Sequence, residues 1–286
     1  MLDLHIHTTA SDGTLAPEQV VRLGAQRGFS LLAVTDHDTM DGVPEAVAAG
    51  ARAGVRVLPG VEISSGVALE VHLLGYGMSP DHPVMREMLE DMRRARVERM
   101  VRIIENLQGM GIPIEVEEVE ALAGGAIGRP HIARVLVQHG VVPDVRTAFR
   151  EYIGLGARAY AERRKMTSEA VIRNIRAAGG VPVLAHGGLL KLSETELEQW
   201  IHAMCGAGLM GLECYHNAHT PATEAFLRRM ARRYGLLVTG GSDFHGATRP
   251  DVDLGTGLAR WEDAQDCAAR LCEAVEAAQK AQAVSP

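Results

Sequence analysis

Seven short apolar runs punctuate the chain, and most end in a polar, chemically able residue. They are LDLHIH at the N-terminus, LLAVTDHD (Leu31–Asp38), VRVLPGVEIS (Val55–Ser64), ALEVHLLGYG around His72, GVPVLAHGG, LMGLECYH and LLVTGGSDFHG. Each has the length and the Leu-rich or β-branched content of a buried strand. Helical stretches lie between them. APEQVVRLGAQRG has Thr14 as a candidate N-cap, Pro17 in the first turn and Gly28 at its end; TSEAVIRNIRAAGG starts at Thr167; TPATEAFLRRMARRYG ends at a glycine. Strand–helix alternation predicts a parallel sheet, and polar residues at many strand ends predict a barrel with its site on one rim.

From Pro80 to about Arg163 the pattern changes to mostly helix, and we read residues 80–163 as a helical insertion between two barrel parts, 1–79 and 164–286. The C-terminal WEDAQDCAARLCEAVEAAQKAQ reads as a helix with a fraying tail. The 286 residues suit one barrel with an insertion, and 47% apolar with 23% charged residues suit a globular chain. With no apolar run of membrane-spanning length and no export signal, a cytoplasmic protein is expected, its four cysteines reduced. A net charge of −7 opposes a long nucleic-acid track but allows a local basic pocket for a small phosphorylated substrate.

His5 and His7 stand two apart in the first strand and therefore share a face. Alone they read equally as partly buried histidines or as the start of a metal site. The other runs add to them: His5, His7, Asp12, His37, Glu62, His72, His186, Asp243 and His245 all fall at or just past strand ends. These donors suit Mn²⁺, Fe²⁺ or Zn²⁺ rather than a thiolate site, and nine are too many for one ion. Glu62 has two oxygens and can bridge two cations.

The pieces HIH, SDG, TDHD, GVEIS, VHLLGY, LAHGG and GSDFHG, in this order, resemble the PHP (polymerase and histidinol phosphatase) family. The resemblance implies a distorted seven-stranded (β/α) barrel holding three divalent ions, Mn²⁺ foremost. It assigns His5, His7, Glu62 and Asp243 to the first ion, Glu62, His72 and His186 to the second, and Asp12, His37 and His245 to the third. It also implies phosphoester hydrolysis by a metal-bridging hydroxide; our candidate catalytic groups are Glu62, His186, Asp243 and His219, with the acid for the leaving alcohol left open among His219, water beside His186 and a metal-bound water. One departure is His186-Gly187-Gly188, where members often read His-Pro-Gly, which loosens the turn after the ligand.

Members acting on nucleoside 3′,5′-bisphosphates carry an Arg-x-His-x-x-Arg segment in the insertion. Here it is Arg129, His131 and Arg134, and Arg158 matches a further basic position. The closest resemblance is thus to the bisphosphate phosphatase and 5′–3′ oligoribonucleotide exonuclease branch, with a small nucleotide or short oligonucleotide as partner and no membrane. Histidinol-phosphate phosphatase is the enzymatic rival, and a non-catalytic module of a replication complex the rival of another class. His219, and less so His216, could line the pocket. Asp36 and Asp38 flank a ligand and could orient it or cap a loop. His82, His139 and His202 are expected in solvent, and the runs RRARVER and ERRK are read as surface charge.

Overall fold

The computed structural model describes residues 1–66, 69–123 and 125–284. Seven strands form one sheet in chain order: β1 (Leu2–Ile6), β2 (Leu31–Val34), β3 (Arg56–Ser65), β4 (Val71–Tyr76), β5 (Val181–Leu184), β6 (Gly211–His216) and β7 (Leu237–Gly241). The chain beyond β7 returns to β1. Ile6 bridges Phe244, the His7 amide donates to the Phe244 carbonyl at 2.9 Å, and the Asp243 amide donates to the His5 carbonyl at 2.9 Å. The sheet is thereby nearly closed into the expected (β/α)₇ barrel. Closure needs a glycine at 241, because a Cβ there would stand 2.1 Å from the Cβ of His5.

The sheet is mixed, not wholly parallel. β4 runs antiparallel to both β3 and β5, while the other pairs are parallel. The cause is chain length: only residues 66–70 separate β3 from β4, and a parallel crossover needs a dozen or more. The reversal matters for the site. It puts His72, near the start of β4 and paired with Ser64, on the rim where the parallel strands end.

Helices α1 (Pro17–Gln26) and α2 (Val43–Ala53) flank the first strands. After β4 come α3 (Pro83–Gly109), α4 (Val116–Leu122), α5 (Arg129–Gln138) and α6 (Val145–Ala148), the last running into a π-turn at Phe149–Ile153. Then α7 (Ser168–Ala177), α8 (Glu194–Ala207), α9 (Pro221–Tyr234) and α10 (Ala264–Val284) cover the remaining strands. The helical segment packs a core of its own from Ile103, Leu107, Val119, Ile132 and Leu136. Helix α3 joins the two bodies: Met85, Met88 and Met92 sit in the barrel core and Met100, Ile103 and Leu107 in the helical one. Each such fully buried side chain contributes about 1.5–3 kcal/mol, so α3 is firmly seated at both ends.

Thr167 caps α7, its hydroxyl accepting from the Ala170 amide at 3.3 Å. Thr14 does not cap α1, which starts after Ala16. Its hydroxyl instead accepts from the Ala247 amide at 2.8 Å, tying the first rim loop to the last. The tail is helical through Val284, and Ser285 and Pro286 lie outside the described residues, as does Ala68 of the fourth apolar run. All four cysteines are unpaired. No helix among the described residues is long and apolar enough to cross a membrane.

Candidate metal centre and arginine pocket

Alternation along β1 sends His5 and His7 into the barrel mouth, where both are buried. They meet Glu62, which no water reaches and which stands at the middle of the cluster. Glu62 Oε1 lies 2.7 Å from His72 Nδ1 and 2.9 Å from His186 Nε2. Its Oε2 lies 2.8 Å from His37 Nδ1, 3.2 Å from His7 Nε2 and 3.3 Å from His5 Nε2. Asp243 Oδ1 is 3.1 Å from His7 Nε2 and 3.6 Å from His5 Nε2. Asp12 Oδ1 is 3.3 Å from His245 Nε2 and Oδ2 is 4.0 Å from His37 Nε2. All nine sequence-derived candidates therefore converge.

Three overlapping groups have every donor atom within 4.8 Å of the others: His5, His7, Glu62 and Asp243; His7, Asp12, His37 and His245; and His37, Glu62 and His72. His186 joins through Glu62 Oε1. The residues fit divalent ions on two counts. Glu62 Oε2, His7 Nδ1 and His37 Nδ1 are buried yet make no hydrogen bond; such orphaned groups cost about 1–3 kcal/mol each. The charge balance also demands cations. Burial would lower His7 and His72, yet the bonds and charges of Asp243, Glu62 and Glu70 lift them to about 9 and about 10. Burial would raise Glu62, yet His37, His72 and His5 carry it far below the usual carboxylate range. The carboxylates thus favour positive charge on these donors, as bound cations would supply.

Backbone strain collects at the same rim. Asp38 (φ 52°), His186 (φ 27°) and Asp243 (φ 55°) are the only described residues other than glycine with left-handed φ, a conformation that costs a non-glycine residue about 1–3 kcal/mol. Neighbours hold each in place. Asp38 Oδ1 accepts from the Ser64 amide at 2.8 Å, and its Oδ2 takes Arg96 Nε at 2.8 Å and Arg163 Nη1 at 2.6 Å. Asp36 caps the first loop, accepting from the Thr8 amide at 2.7 Å and the Ser11 hydroxyl at 2.6 Å.

Glu213 was not singled out from the sequence. Buried in β6, it accepts from His5 Nδ1 at 3.0 Å and from the His186 amide at 2.7 Å, and so orients two candidate ligands from different strands. A carboxylate inside the apolar run LMGLECYH was the available signal. His216 accepts the Ala218 amide at Nδ1, so Nε2 carries the proton and faces Asp243 Oδ2 at 3.4 Å.

His219 serves the loop rather than the cleft. It is buried, its Nδ1 donates to the Cys214 carbonyl at 3.0 Å, and its Nε2 accepts from the Gly188 amide at 3.2 Å. Neither nitrogen is left for substrate or for proton transfer. It fixes the His186-Gly187-Gly188 turn that lacks proline, and a Cβ on Gly188 would stand 2.9 Å from its ring.

The basic residues divide differently from expectation. Arg129 lines a cavity of about 180 Å³ with Arg96, Arg99 and Arg163. Asp38 holds Arg96 and Arg163, whereas Arg99 and Arg129 have no hydrogen-bond or ion-pair partner among the described residues; Arg129 stacks over Phe149. Burial and the charges of Arg96, Arg129 and Arg163 push Arg99 well down from its ordinary value. The guanidinium keeps its proton; Glu70, in the same cavity wall, favours its charge and that of Arg129 but makes no ion pair with either, which leaves room for a further anion. Arg96, Arg99 and Arg163 come from the runs read as surface charge and are buried instead. His131 is also buried, its Nδ1 accepting from the Gly128 amide at 3.0 Å as a helix cap. Arg134 reaches the Asp12 carbonyl and Thr248 Oγ1, both at 2.7 Å, and braces a ligand loop. Arg158 is exposed, stacked on Tyr152, and does not line the arginine cavity. His82 is half-buried against Gln282 and His139 pairs with Glu118, while His202 is exposed.

A model of the PHP domain matches residues 3–162. The chain belongs to the PHP family. A 3′,5′-nucleoside bisphosphate phosphatase from Chromobacterium violaceum is 36% identical over 264 residues, 89% of this chain and 90% of the relative. The 5′–3′ exoribonuclease Rnm of Escherichia coli is 35% identical over 260 residues, 90% of this chain and 88% of the relative. A crystal structure from Bifidobacterium adolescentis, assigned as a metal-dependent phosphoesterase, superposes with a TM-score of 0.86 at 34% identity over 96% of each chain. This PHP chain is a phosphoesterase of the metal-dependent kind, and neither rival reading is favoured.

Proposed function

We propose that this PHP enzyme acts on nucleotides bearing two phosphates. The reacting phosphate sits over His5, His7, Asp12, His37, Glu62, His72, His186, Asp243 and His245, and the other in the arginine pocket. The observation that carries the reading is the pair of unpartnered arginines, Arg99 and Arg129, beside the cluster: the two cavities share Asp12, His37, His72, Pro130 and Phe149. Residues 80–163 then serve as the cap that binds substrate. The same geometry accommodates both activities named for the relatives. A terminal 5′-phosphate in the arginine pocket brings the next phosphate along the chain, at the 3′ position, to the cluster, whether it is a terminal monoester or the first link of an oligoribonucleotide.

These donors would hold three divalent ions, Mn²⁺ foremost. Such ions supply Lewis-acid charge to phosphoryl oxygens and lower the pKa of water. The residues do the rest. Glu213 fixes His5 and the His186 backbone, Arg134 fixes the loop of Asp12, and Arg99 and Arg129 orient the substrate with planar, directional donors. Small nucleotide substrates and unpaired thiols suit a reducing compartment such as the cytoplasm. A phosphate-release screen with Mn²⁺ tests the reading, comparing adenosine 3′,5′-bisphosphate, AMP, histidinol phosphate and a short 5′-phosphorylated RNA, with nucleotide products resolved by chromatography. The bisphosphate and the RNA are expected to be the best substrates. Histidinol phosphate as the best would overturn it.

A further inference from the structure

The cavity over the ligand cluster measures about 390 Å³. The part of its wall not shared with the arginine pocket includes His186, Leu189, Asp243, His245, Thr248 and Arg249. Among the described residues, Arg249 is the only lysine or arginine lining this cavity. Its backbone is anchored. Ala247 donates to Thr14, and Thr248 Oγ1 both accepts from Arg134 and donates to the Asp12 carbonyl. Its side chain is 40% exposed, with Nη1 on Asp243 Oδ2 and, more loosely at 3.4 Å, on the Asp243 carbonyl. A guanidinium at the mouth of the cleft, on a fixed backbone and held by one carboxylate, can change partner without moving the loop.

We propose that Arg249 receives the first phosphate downstream of the bond being cut, and so determines specificity for an oligoribonucleotide over a bisphosphate. The inference rests on the two-phosphate reading above. With the 5′-phosphate in the arginine pocket and the scissile phosphate over the cluster, the rest of an RNA chain must leave through the other side of the mouth. A divalent ion held by Asp243 would weaken that carboxylate's hold on the guanidinium, leaving Arg249 free to meet an incoming phosphate. A bisphosphate has no such phosphate and gains nothing there.

The test is a cycle between protein and ligand, read by fluorescence anisotropy in Mn²⁺. The ligand is a 5′-phosphorylated trinucleotide whose first linkage carries a methylene in place of the bridging 3′-oxygen, so that it binds without being cut. A second ligand also has its second linkage replaced by a neutral methylphosphonate. Arg249→Gln is expected to weaken the fully charged ligand about tenfold or more, as a charge-assisted contact implies. The neutral ligand should weaken less than about threefold, the two changes being non-additive. The salt dependence of the charged ligand should also flatten by about 0.7 in log–log slope, one phosphate contact on a single strand. Equal weakening of both ligands would overturn the proposal and assign Arg249 to Asp243 alone. Failure of the two-phosphate reading looks different: the unmodified protein would then bind the trinucleotide no better than its form lacking the 5′-phosphate.

Discussion

Glu213 shows how a single buried carboxylate organises the centre. One oxygen fixes the His5 ring, leaving Nε2 for the cluster; the other holds the amide of His186, a residue strained at φ 27°. Glu213→Gln keeps the shape but loses the charge. We expect elemental analysis of the unmodified enzyme to find more than one divalent ion per chain, and the variant to bind them about 10- to 100-fold more weakly. Unaltered ion content and affinity in the variant would show that Glu213 only packs. At this scale the ligand set was legible because histidines and carboxylates recur at strand ends. The arginine pocket was not. Arg96 and Arg99 sit three apart on the buried face of α3, among Met92, Ala95 and Met100, but a run such as RRARVER also fits a solvated surface. Only the fold decides which arginines turn inward.

At the scale of elements, the barrel's closure and the one reversed strand place the ligands. β7 approaches β1 where Gly241 meets His5, and Asp243 follows directly on the Gly241–Ser242 segment. A methyl at 241 has backbone and Cβ atoms of His5 to displace, which no rotamer change can relieve. Gly241→Ala is expected to cost about 1–3 kcal/mol or more, read as a lower midpoint in urea denaturation. A midpoint within error of the unmodified protein would mean that the closure is looser than described. Strands and helices were largely readable from periodicity. The direction of β4 was missed because alternation alone was weighed, although the five residues between β3 and β4 permit only a reversal. Thr14 was misread as a cap because a helix-start signal cannot reveal that Ala247, far along the chain, claims its hydroxyl.

Across the whole molecule two opposite electrostatic demands adjoin: a carboxylate–imidazole cluster short of cations and an arginine pocket short of an anion. A nucleotide with two phosphates satisfies both once metal is bound, and the cap joined through α3 brings the second demand to the first. The direct test is kcat/KM in Mn²⁺ at fixed ionic strength for adenosine 3′,5′-bisphosphate and for adenosine 3′-monophosphate, in the unmodified enzyme and in Arg129→Ala. Losing a charge-assisted contact of about 1.5–3 kcal/mol should lower the bisphosphate value about ten- to hundredfold, while the monophosphate value falls far less. Equal losses on both substrates would contradict the account, placing Arg129 with the reacting phosphate or with the fold.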